Sequence, residues 1–549
     1  MRILLLSVLC YLFSISFSNA QKTKAIPPEK PKLVIGIVVD QMRYDYIARY
    51  WDKFEKNGFK RLINEGAFCK NARQNYIYTQ TGPGHATIYT GATPSVNGIV
   101  SNEWFIRLKK QKVYCVEDSK VKTIGSNSDK GKMSPVNLLT TTIGDELRLS
   151  TLNKSKVIAI SLKDRAAILP GGHNPIASYW YDDATGSFIT SSYYMDSLPK
   201  WVIDFNNKKL ADLYLDRLWS PILSITEYKE SLPDTNKYEK GFGNNQKCFP
   251  YDLAFLSKPT KKERDYSILR SCPFGNTYTH DFAIAAVLGE NLGKSNYTDF
   301  LSVSFSPTDY IGHAFGPLAV ETEDTYLRLD KEIAHFIDFI ETEIGKENIL
   351  IFLTADHGSS ENPKYLTDNK LPGGVFKQYY ALSLLKSYLN AVYGEGEWIL
   401  SYMDQQIFLN QTLIEDSKIS LPEIQNKVAS FLLQFNGVEN AVTATTLQTN
   451  NFTKGIFMYM QNSFNQKRSG DVLINLAPGW IQDSDYDVDH NTAYSYDTHV
   501  PLIWYGWKIT RQTILREIHL VDIAPTISIM LNIEYPSGCT GEPIDELFK

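Results

Sequence analysis

Short apolar segments rich in Val, Ile and Leu recur along the chain, with helical patterns between them. Apolar runs of this kind, without polar alternation, predict strands that are buried on both faces. Two intervening segments, residues 45–64 and 321–344, have the length of crossover helices. The pattern therefore predicts an α/β fold whose central, largely parallel β-sheet is flanked by helices on both faces. The predicted strands are residues 32–39, 157–161, 300–305, 349–353, 471–476 and 500–504.

Two long intervals depart from this alternation of strands and helices. Residues 172–280 and 360–470 are rich in Tyr, Asn, Lys and Pro, which predicts insertions of loops and small strands over one edge of the sheet. No linker-like segment separates them from the rest of the chain. We therefore expect residues 21–549 to form a single domain.

The first twenty residues have a pattern of their own. Arg2 precedes an apolar stretch over residues 3–17, and Ser18-Asn19-Ala20 follow, which is the order of a cleaved secretory signal. We expect residues 1–20 to be a signal peptide and the protein to be periplasmic or secreted. No later apolar run reaches membrane-spanning length, so no membrane anchor is expected in the mature chain.

Charge and cysteine content narrow the function classes. Lys and Arg number 56 against 61 Asp and Glu, without the basic excess of proteins that bind nucleic acids. There is no CxxC or HExxH motif, which argues against a thiolate zinc site or a zincin protease. With Cys10 in the signal, local pairing would favour two disulfides, and buried free thiols are the alternative. The two pairs would be Cys69 with Cys115 and Cys248 with Cys272, leaving Cys539 unpaired.

Acidic residues and histidines follow three of the predicted strands. Asp40 closes the first, Asp309 and His313 follow residues 300–305, and Asp356 and His357 follow residues 349–353. A single acid after a strand is usually a helix cap or a turn residue. Three such ends, two of which combine Asp with His, instead indicate a metal site, because zinc takes carboxylate and imidazole ligands. His173, His280, His335 and His519 have no companion ligands in the sequence.

The segment at residues 79–87, TQTGPGHAT, contains a candidate nucleophile. Pro83 suits the first turn of a helix, so Thr81 would stand at a helix N-terminus, where free amides and the helix dipole favour an anion. A Thr helix cap without chemistry is the alternative. His85 is expected to pack or hydrogen-bond beside Thr81 and not to bind metal.

These residues together resemble the alkaline phosphatase superfamily of two-zinc phosphohydrolases. The similarity is greatest to its branch of secreted bacterial phosphomonoesterases that use Thr as the nucleophile, and it covers most of the mature chain. It implies an alkaline phosphatase-like catalytic domain, a monomer, and phosphate monoesters as substrates. The motifs are VVD at 38–40, TGPGHAT at 81–87, SN at 101–102, SLKDR at 161–165, DYIGH at 309–313 and TADHG at 354–358.

The resemblance also implies two zinc ions per chain and a role for each site residue. Asn102, Lys163 and Arg165 correspond to residues that hold the phosphate oxygens. The late histidine is His490 by its distance before the last strand, but Asn491 stands where Gly is common, so His499 stays an alternative. The implied ligands are Asp309, His313 and His490 for one ion, and Asp40, Asp356, His357 and Thr81 for the other.

A monoesterase is favoured over the phosphodiesterases of the same superfamily. Lys163 and Arg165 alternate in a segment expected to be extended, so both would face the oxygens that a monoester leaves unesterified. The alternatives are a nucleotide pyrophosphatase or phosphodiesterase, and a secreted protein that binds zinc or phosphate without catalysis. A sulfatase is disfavoured because residues 81–85 lack its Cys/Ser-x-Pro-x-Arg sequence.

Overall fold

A computed structural model describes residues 29–243, 245–258, 263–483 and 488–548. The predicted signal peptide, with Cys10, lies outside the described residues. The strands are β1 Leu33–Val39, β2 Ala67–Arg73, β3 Glu103–Ile106, β4 Gln111–Tyr114, β5 Thr123–Ile124, β6 Val157–Ser161, β7 Ala177–Asp182, β8 Ser187–Ser191, β9 Leu218–Trp219, β10 Tyr251–Asp252, β11 Asp299–Phe305, β12 Ile349–Thr354, β13 Gly374–Phe376, β14 Ile399–Met403, β15 Gln406–Leu409, β16 Val438–Thr443, β17 Val472–Leu476, β18 Trp480–Gln482, β19 His499–Gly506, β20 Gln512–Ile514 and β21 Ile518–His519.

Helices connect these strands. In the described parts of the chain, none of them is both long and apolar enough to cross a membrane. The α-helices are Asp45–Arg49, Phe59–Glu65, Thr81–Thr90, Pro94–Asn97, Ile143–Ser150, Asp164–Gly171, Lys200–Asn207, Leu210–Leu215, Leu253–Leu256, Phe274–Gly289, Pro307–Phe315, Val320–Ile344, Pro363–Asp368, Gln378–Tyr393, Gln411–Asp416, Leu421–Leu432, Ala444–Thr449, Gly455–Ser463, Ser495–Thr498 and Ile523–Leu531.

An 11-stranded sheet forms the centre of the molecule, in the order β20-β2-β19-β12-β1-β11-β6-β7-β8-β5, with β21 beside β2. The five strands from β12 to β7 are parallel to one another. Their residues are buried throughout, as the unbroken apolar runs predict. The predicted α/β class with a largely parallel sheet is thus confirmed.

The carboxyl ends of three neighbouring strands lie level at one edge of this sheet. β1 lies between β11 and β12, and its register pairs Val39 with Phe305 and Val38 with Thr354. In open α/β sheets, ligands bind outside such ends. Side chains that directly follow these three strands are therefore brought together.

The prediction for residues 471–476 was wrong in its placement. β17 belongs to a separate antiparallel sheet, in the order β14-β15-β17-β16. Its apolar side chains pack with the helices Gln378–Tyr393 and Leu421–Leu432 in a second apolar core. A short apolar run looks the same in either sheet, because periodicity does not record the partner strand. The run at 500–504 does lie in the central sheet, within β19, but it is antiparallel to both neighbours.

Two further expectations differ from the structure. The segment at 45–64 forms two short helices, because the chain turns at Gly58 against Asp330, which accepts hydrogen bonds from the Glu55 and Phe59 amides at 2.5 and 2.7 Å. Part of the interval at 172–280 belongs to the central sheet, which β7 and β8 extend. The helix predicted at 321–344 is present as Val320–Ile344.

The five cysteines of the described chain are all free. The disulfides expected between Cys69 and Cys115 and between Cys248 and Cys272 are therefore wrong, and the alternative of free thiols holds. Cys69 and Cys115 pack in different apolar clusters, so closeness in sequence did not bring them together. Burial raises the pKa of Cys69 to about 12, which leaves its thiol unreactive.

Candidate active site

Polar side chains follow each of the three level strand ends. Asp40 comes directly after β1, and Asp356 and His357 follow β12. Asp309 and His313 lie one turn apart on the helix Pro307–Phe315, which begins just after β11. All five side chains are buried. The structure therefore brings together residues that are separated by more than 300 positions in the chain.

Asp40, Asp356 and His357 form one candidate metal group. His357 Nε2 lies 3.6 Å from Asp40 Oδ1 and 3.7 Å from Asp356 Oδ2. These same three atoms are buried, and among the described residues none of them has a hydrogen-bond partner, although His85 Nδ1 lies 3.3 Å from Asp356 Oδ2. Leaving polar atoms buried and unpaired is costly, and a cation among them would remove that cost. Two carboxylate oxygens and an imidazole nitrogen are also the donors that zinc accepts.

A second group surrounds Asp309. His313 Nε2 lies 3.3 Å and His490 Nε2 3.8 Å from Asp309 Oδ1. The rings of His490 and His357 are stacked with centroids 3.9 Å apart, so the two groups are adjacent. Asp489, which the sequence argument did not single out, joins His313 and His490 as a further candidate ligand.

Backbone carbonyls orient the three imidazoles. The Nδ1 atoms of His313, His357 and His490 lie 2.8, 2.9 and 2.5 Å from the carbonyl oxygens of Val488, Gly358 and Thr79. A carbonyl can only accept, so Nδ1 carries the hydrogen in each bond. In a neutral ring, Nε2 then keeps its lone pair facing the carboxylates, which is how a metal-binding histidine is held by its outer contacts. Burial opposes a charge on His313, but Asp309 outweighs it and raises the pKa of that ring, so without a cation His313 favours the protonated form.

Electrostatics support the same tautomers for two of the rings. Burial lowers the pKa of His357, and burial together with the His357 and His313 rings lowers the pKa of His490 well below its usual range. Both imidazoles are therefore neutral, as metal ligands must be. Burial opposes ionisation of Asp309, but Lys163 and His313 outweigh it and hold the pKa of that carboxyl low.

Thr81 is the first residue of the helix Thr81–Thr90 and is 2% exposed. The helix approaches the end of β12 so closely that a Cβ on Gly84 would lie 2.6 Å from the Asp356 Cβ, and only glycine allows this. His85 bonds to the Thr81 carbonyl at 2.9 Å and to Ser304 Oγ at 2.9 Å. His85 therefore supports the backbone of the candidate nucleophile, as expected from the sequence.

Two cations approach the Thr81 hydroxyl. Lys163 Nζ lies 3.1 Å and Arg165 Nη2 3.5 Å from Thr81 Oγ1. Lys163 Nζ also bonds to Asp40 Oδ2 at 2.7 Å and Asp309 Oδ2 at 2.6 Å, and so links both metal groups to the hydroxyl. Burial opposes the charge of Lys163, but Asp309 and Asp40 outweigh it and raise the pKa of the ammonium group.

The expectation of an extended segment at Lys163 and Arg165 was wrong. β6 ends at Ser161, Lys163 caps the helix Asp164–Gly171, and Arg165 lies in its first turn. Arg165 still reaches Thr81, since its guanidinium donates to Tyr114 Oη at 3.1 Å and Tyr114 in turn donates to Asp164. Tyr114 thus positions Arg165.

Asn102 is held by a network that includes the second insertion. Its Oδ1 accepts a hydrogen bond from the Gly82 amide at 2.8 Å, so that amide at the helix N-terminus is not free. The backbone amide of Asn102 donates to Gln80 Oε1 at 2.6 Å. Ser101 Oγ lies 2.9 Å from the same Gln80 oxygen and within hydrogen-bonding distance of Asp404 Oδ2, and its one hydroxyl hydrogen can be donated to either. Asp404 lies in the turn between β14 and β15. The second insertion therefore contacts the loop that carries Asn102.

Gln41 was also missed from sequence. It adopts the left-handed conformation (φ 64°), which is uncommon for a residue other than glycine. In this conformation its side-chain Nε2 donates a hydrogen bond to Asp309 Oδ1 (2.7 Å), and its backbone amide donates one to Asp356 Oδ1 (3.2 Å). The one sequence feature that could have pointed to Gln41 is its position next to Asp40.

A cleft of about 1100 Å³ opens beside Asn102 and Arg165. One wall is made by the second insertion, including Tyr379, Tyr402 and Asp404. The cleft can therefore admit the organic part of a substrate whose reacting group lies at Thr81.

The structure separates the two late histidines. His490 lies in the metal groups described above, whereas His499 stacks on Tyr44 with centroids 4.1 Å apart and bonds to the Lys70 carbonyl at 2.9 Å. The geometry favours His490 as the ligand.

Replacing His490 with Ala is expected to lower the amount of bound metal and to reduce kcat/KM for an aryl phosphate by more than about 100-fold. Loss of a residue that only orients a metal ligand costs about 10–100-fold, and loss of the ligand itself should cost more. His499→Ala is the matched control and should leave both quantities near wild type. Metal analysis and phosphatase assays of the two variants provide the measurement. The reverse ranking would assign the ligand role to His499.

The family of type I phosphodiesterases and nucleotide pyrophosphatases matches residues 34–500, a span that includes every candidate site residue named above. The chain belongs to this family. Alkaline phosphatase PhoV of Synechococcus elongatus, a relative, is 42% identical over 560 residues, which is 100% of both chains. Alkaline phosphatase PafA of Elizabethkingia meningoseptica is 40% identical over 96% of both chains.

Other relatives agree in extent. A Myroides odoratus protein named calcium-transporting ATPase is 41% identical over 99% of this chain and 98% of its own. The crystal structure of wild-type alkaline phosphatase PafA matches with a TM-score of 0.90 at 39% identity, covering 95% of this chain and 99% of that chain. The fold of this family member is thus that of a solved phosphatase along nearly its whole length.

Proposed function

We propose that the protein is an alkaline phosphatase that hydrolyses phosphate monoesters through a phosphothreonine at Thr81. The observation that carries the proposal is the position of the Thr81 hydroxyl. It lies within hydrogen-bonding reach of two cations, the buried Lys163 and the partly buried Arg165, and Lys163 also contacts carboxylates from both candidate metal groups. The names of PhoV and PafA support the same activity.

We infer that two zinc ions occupy the site. Asp309, His313 and His490 would hold one, and Asp40, Asp356 and His357 the other, with Thr81 beside it. When bound, zinc supplies a Lewis acid that lowers the pKa of a hydroxyl and offsets negative charge on the leaving oxygen. The buried unpaired atoms of Asp40, Asp356 and His357 support a cation at that group.

The residues of the chain then divide the work of phosphoryl transfer. Thr81 Oγ gives up its proton to water and forms the new bond to phosphorus while the bond to the leaving alkoxide breaks, and the alkoxide takes up a proton from water. A second water later cleaves the phosphothreonine, which releases phosphate and restores the Thr81 hydroxyl. Asn102, Lys163 and Arg165 hold the phosphate oxygens. Such positioning and charge stabilisation account for most of the catalysis in phosphoryl transfer.

A phosphodiesterase activity is the competing function, because the family includes such enzymes. Two cations beside one hydroxyl favour the monoester, which carries one more unesterified oxygen than a diester.

We also propose that the protein is exported after cleavage of residues 1–20 and acts as a monomer. No nucleic-acid binding is proposed.

Removing the metals is expected to abolish hydrolysis of an aryl phosphate, and zinc should restore it. Elemental analysis of the restored enzyme should give two zinc ions per chain, since the six protein ligands divide into two sets. A stoichiometry near one, or activity that persists after complete chelation, would contradict the two-zinc proposal.

A further inference from the structure

Two histidines outside the active site face each other across the helices Phe274–Gly289 and Val320–Ile344. His280 Nε2 and His335 Nδ1 are 2.9 Å apart, and the ring centroids are 4.9 Å apart. His280 is 3% exposed, whereas His335 is exposed to solvent. A separation of 55 residues hides this pair from the sequence, where neither histidine has a companion.

Two carboxylates orient the buried ring. His280 Nδ1 lies 3.2 Å from Asp281 Oδ1 and 3.4 Å from Glu332 Oε2. Since carboxylates accept hydrogen bonds, Nδ1 carries the hydrogen and Nε2 presents its lone pair toward His335. A carboxylate behind the opposite nitrogen is the usual outer contact of a metal-binding histidine.

The local charge also favours a cation. Within the described chain, neither Asp281 nor Glu332 forms an ion pair with Lys or Arg; their only ion-pair partner is His280. Their other oxygens accept hydrogen bonds from neutral groups, the hydroxyls of Tyr214 and Thr277. Two carboxylates without a cationic partner therefore stand directly behind a pair of imidazoles.

We propose that His280 Nε2 and His335 Nδ1 bind one divalent transition-metal ion at the protein surface, with Cu²⁺ preferred over Ni²⁺ and Zn²⁺. At metal–nitrogen bonds of about 2.0 Å, the observed nitrogen separation corresponds to an angle of roughly 90° at the metal. That angle suits adjacent positions of a square-planar Cu²⁺ or Ni²⁺ ion and is narrower than the tetrahedral angle of zinc.

Water would complete the coordination, and no net proton release from His335 is required. In the hydrogen-bonded pair, His335 Nδ1 donates to His280 Nε2. On metal binding the His335 proton moves to Nε2 of the same exposed ring, which leaves Nδ1 free as a ligand. The site is independent of the proposed phosphatase chemistry, because it shares no residue with the Thr81 region.

The test is a Cu²⁺ titration of the zinc-loaded protein, followed by electron paramagnetic resonance and by analysis for released zinc. We expect one equivalent of Cu²⁺ bound with nitrogen hyperfine coupling, while zinc is retained. His335→Gln changes an exposed side chain and should weaken this binding by at least about 100-fold. Glu332→Gln should weaken it by about 10–100-fold, as removal of an outer contact does.

His173→Gln is the matched control, since His173 bonds to the Thr140 carbonyl and lies outside the pair; its Cu²⁺ binding should equal that of wild type. Thermal unfolding of each variant without Cu²⁺ checks that the fold is intact. Failure of the wild-type protein to take up the extra equivalent, or uptake that His335→Gln leaves unchanged, would show that the pair is only an interhelical hydrogen bond.

Discussion

The Thr81→Ala variant is expected to lose up to about 10⁶-fold in kcat for an aryl phosphate, the loss seen when a catalytic nucleophile is removed. Thr81→Ser should retain a measurable fraction, because it keeps the hydroxyl beside Lys163 and Arg165 and loses only the methyl group that restricts rotation. Steady-state assays on the purified variants measure both effects. Acid quenching of wild type during turnover should trap phosphate on Thr81.

Thr90→Ala provides a control in the same helix. Its hydroxyl bonds to the Ala86 carbonyl at 2.6 Å at the opposite end from Thr81, so its loss affects helix packing without touching the reacting group. Activity near wild type is expected for the folded fraction. If Thr81→Ala kept near-normal turnover, water would attack phosphorus directly and the phosphothreonine proposal would fail.

The positions of the acids could be predicted from sequence because they depend on local features. Unbroken apolar runs predict β1, β11 and β12, and parallel strands place their ends at one edge, so Asp40, Asp309 and Asp356 were expected to meet. The histidines at 313 and 357 follow from the same placement. The exact strand order and register did not have to be predicted for this, because all three strands end at the same level of the sheet.

The remaining features depend on tertiary contacts that no local pattern records. Gln41 takes a left-handed conformation because the two carboxylates beside it accept its hydrogen bonds. Asp404 reaches the Asn102 loop only because the hairpin of β14 and β15 folds over the site. β17 lies just beyond the predicted insertion at 360–470 but shares its antiparallel sheet, and the separate core of that sheet could not be distinguished from the central one by composition.

Arg165→Ala is expected to lower kcat/KM for an aryl phosphate by about 10²–10³-fold, the cost of losing one preorganised charged donor in the transition state. The loss for the methyl diester of the same phosphate should be about tenfold or less, because a diester offers one fewer unesterified oxygen to a charge-assisted bond. Arg165→Lys should also be costly, since lysine cannot reproduce the planar fork that Tyr114 positions.

Arg165 is the cleaner probe of the two cations, because Lys163 also pairs with Asp40 and Asp309, and its loss would alter the metal groups as well. Arg270→Ala is the matched control: this guanidinium pairs with Asp183 at 2.7 Å and lies 5.4 Å from the Tyr310 ring, near the site but without a contact to Thr81. A small and equal effect on both substrates is expected there. If Arg165→Ala lowered kcat/KM for the monoester and the diester by the same factor, Arg165 would contribute only its electrostatic field and no bond to the extra oxygen. The diesterase function would then regain support.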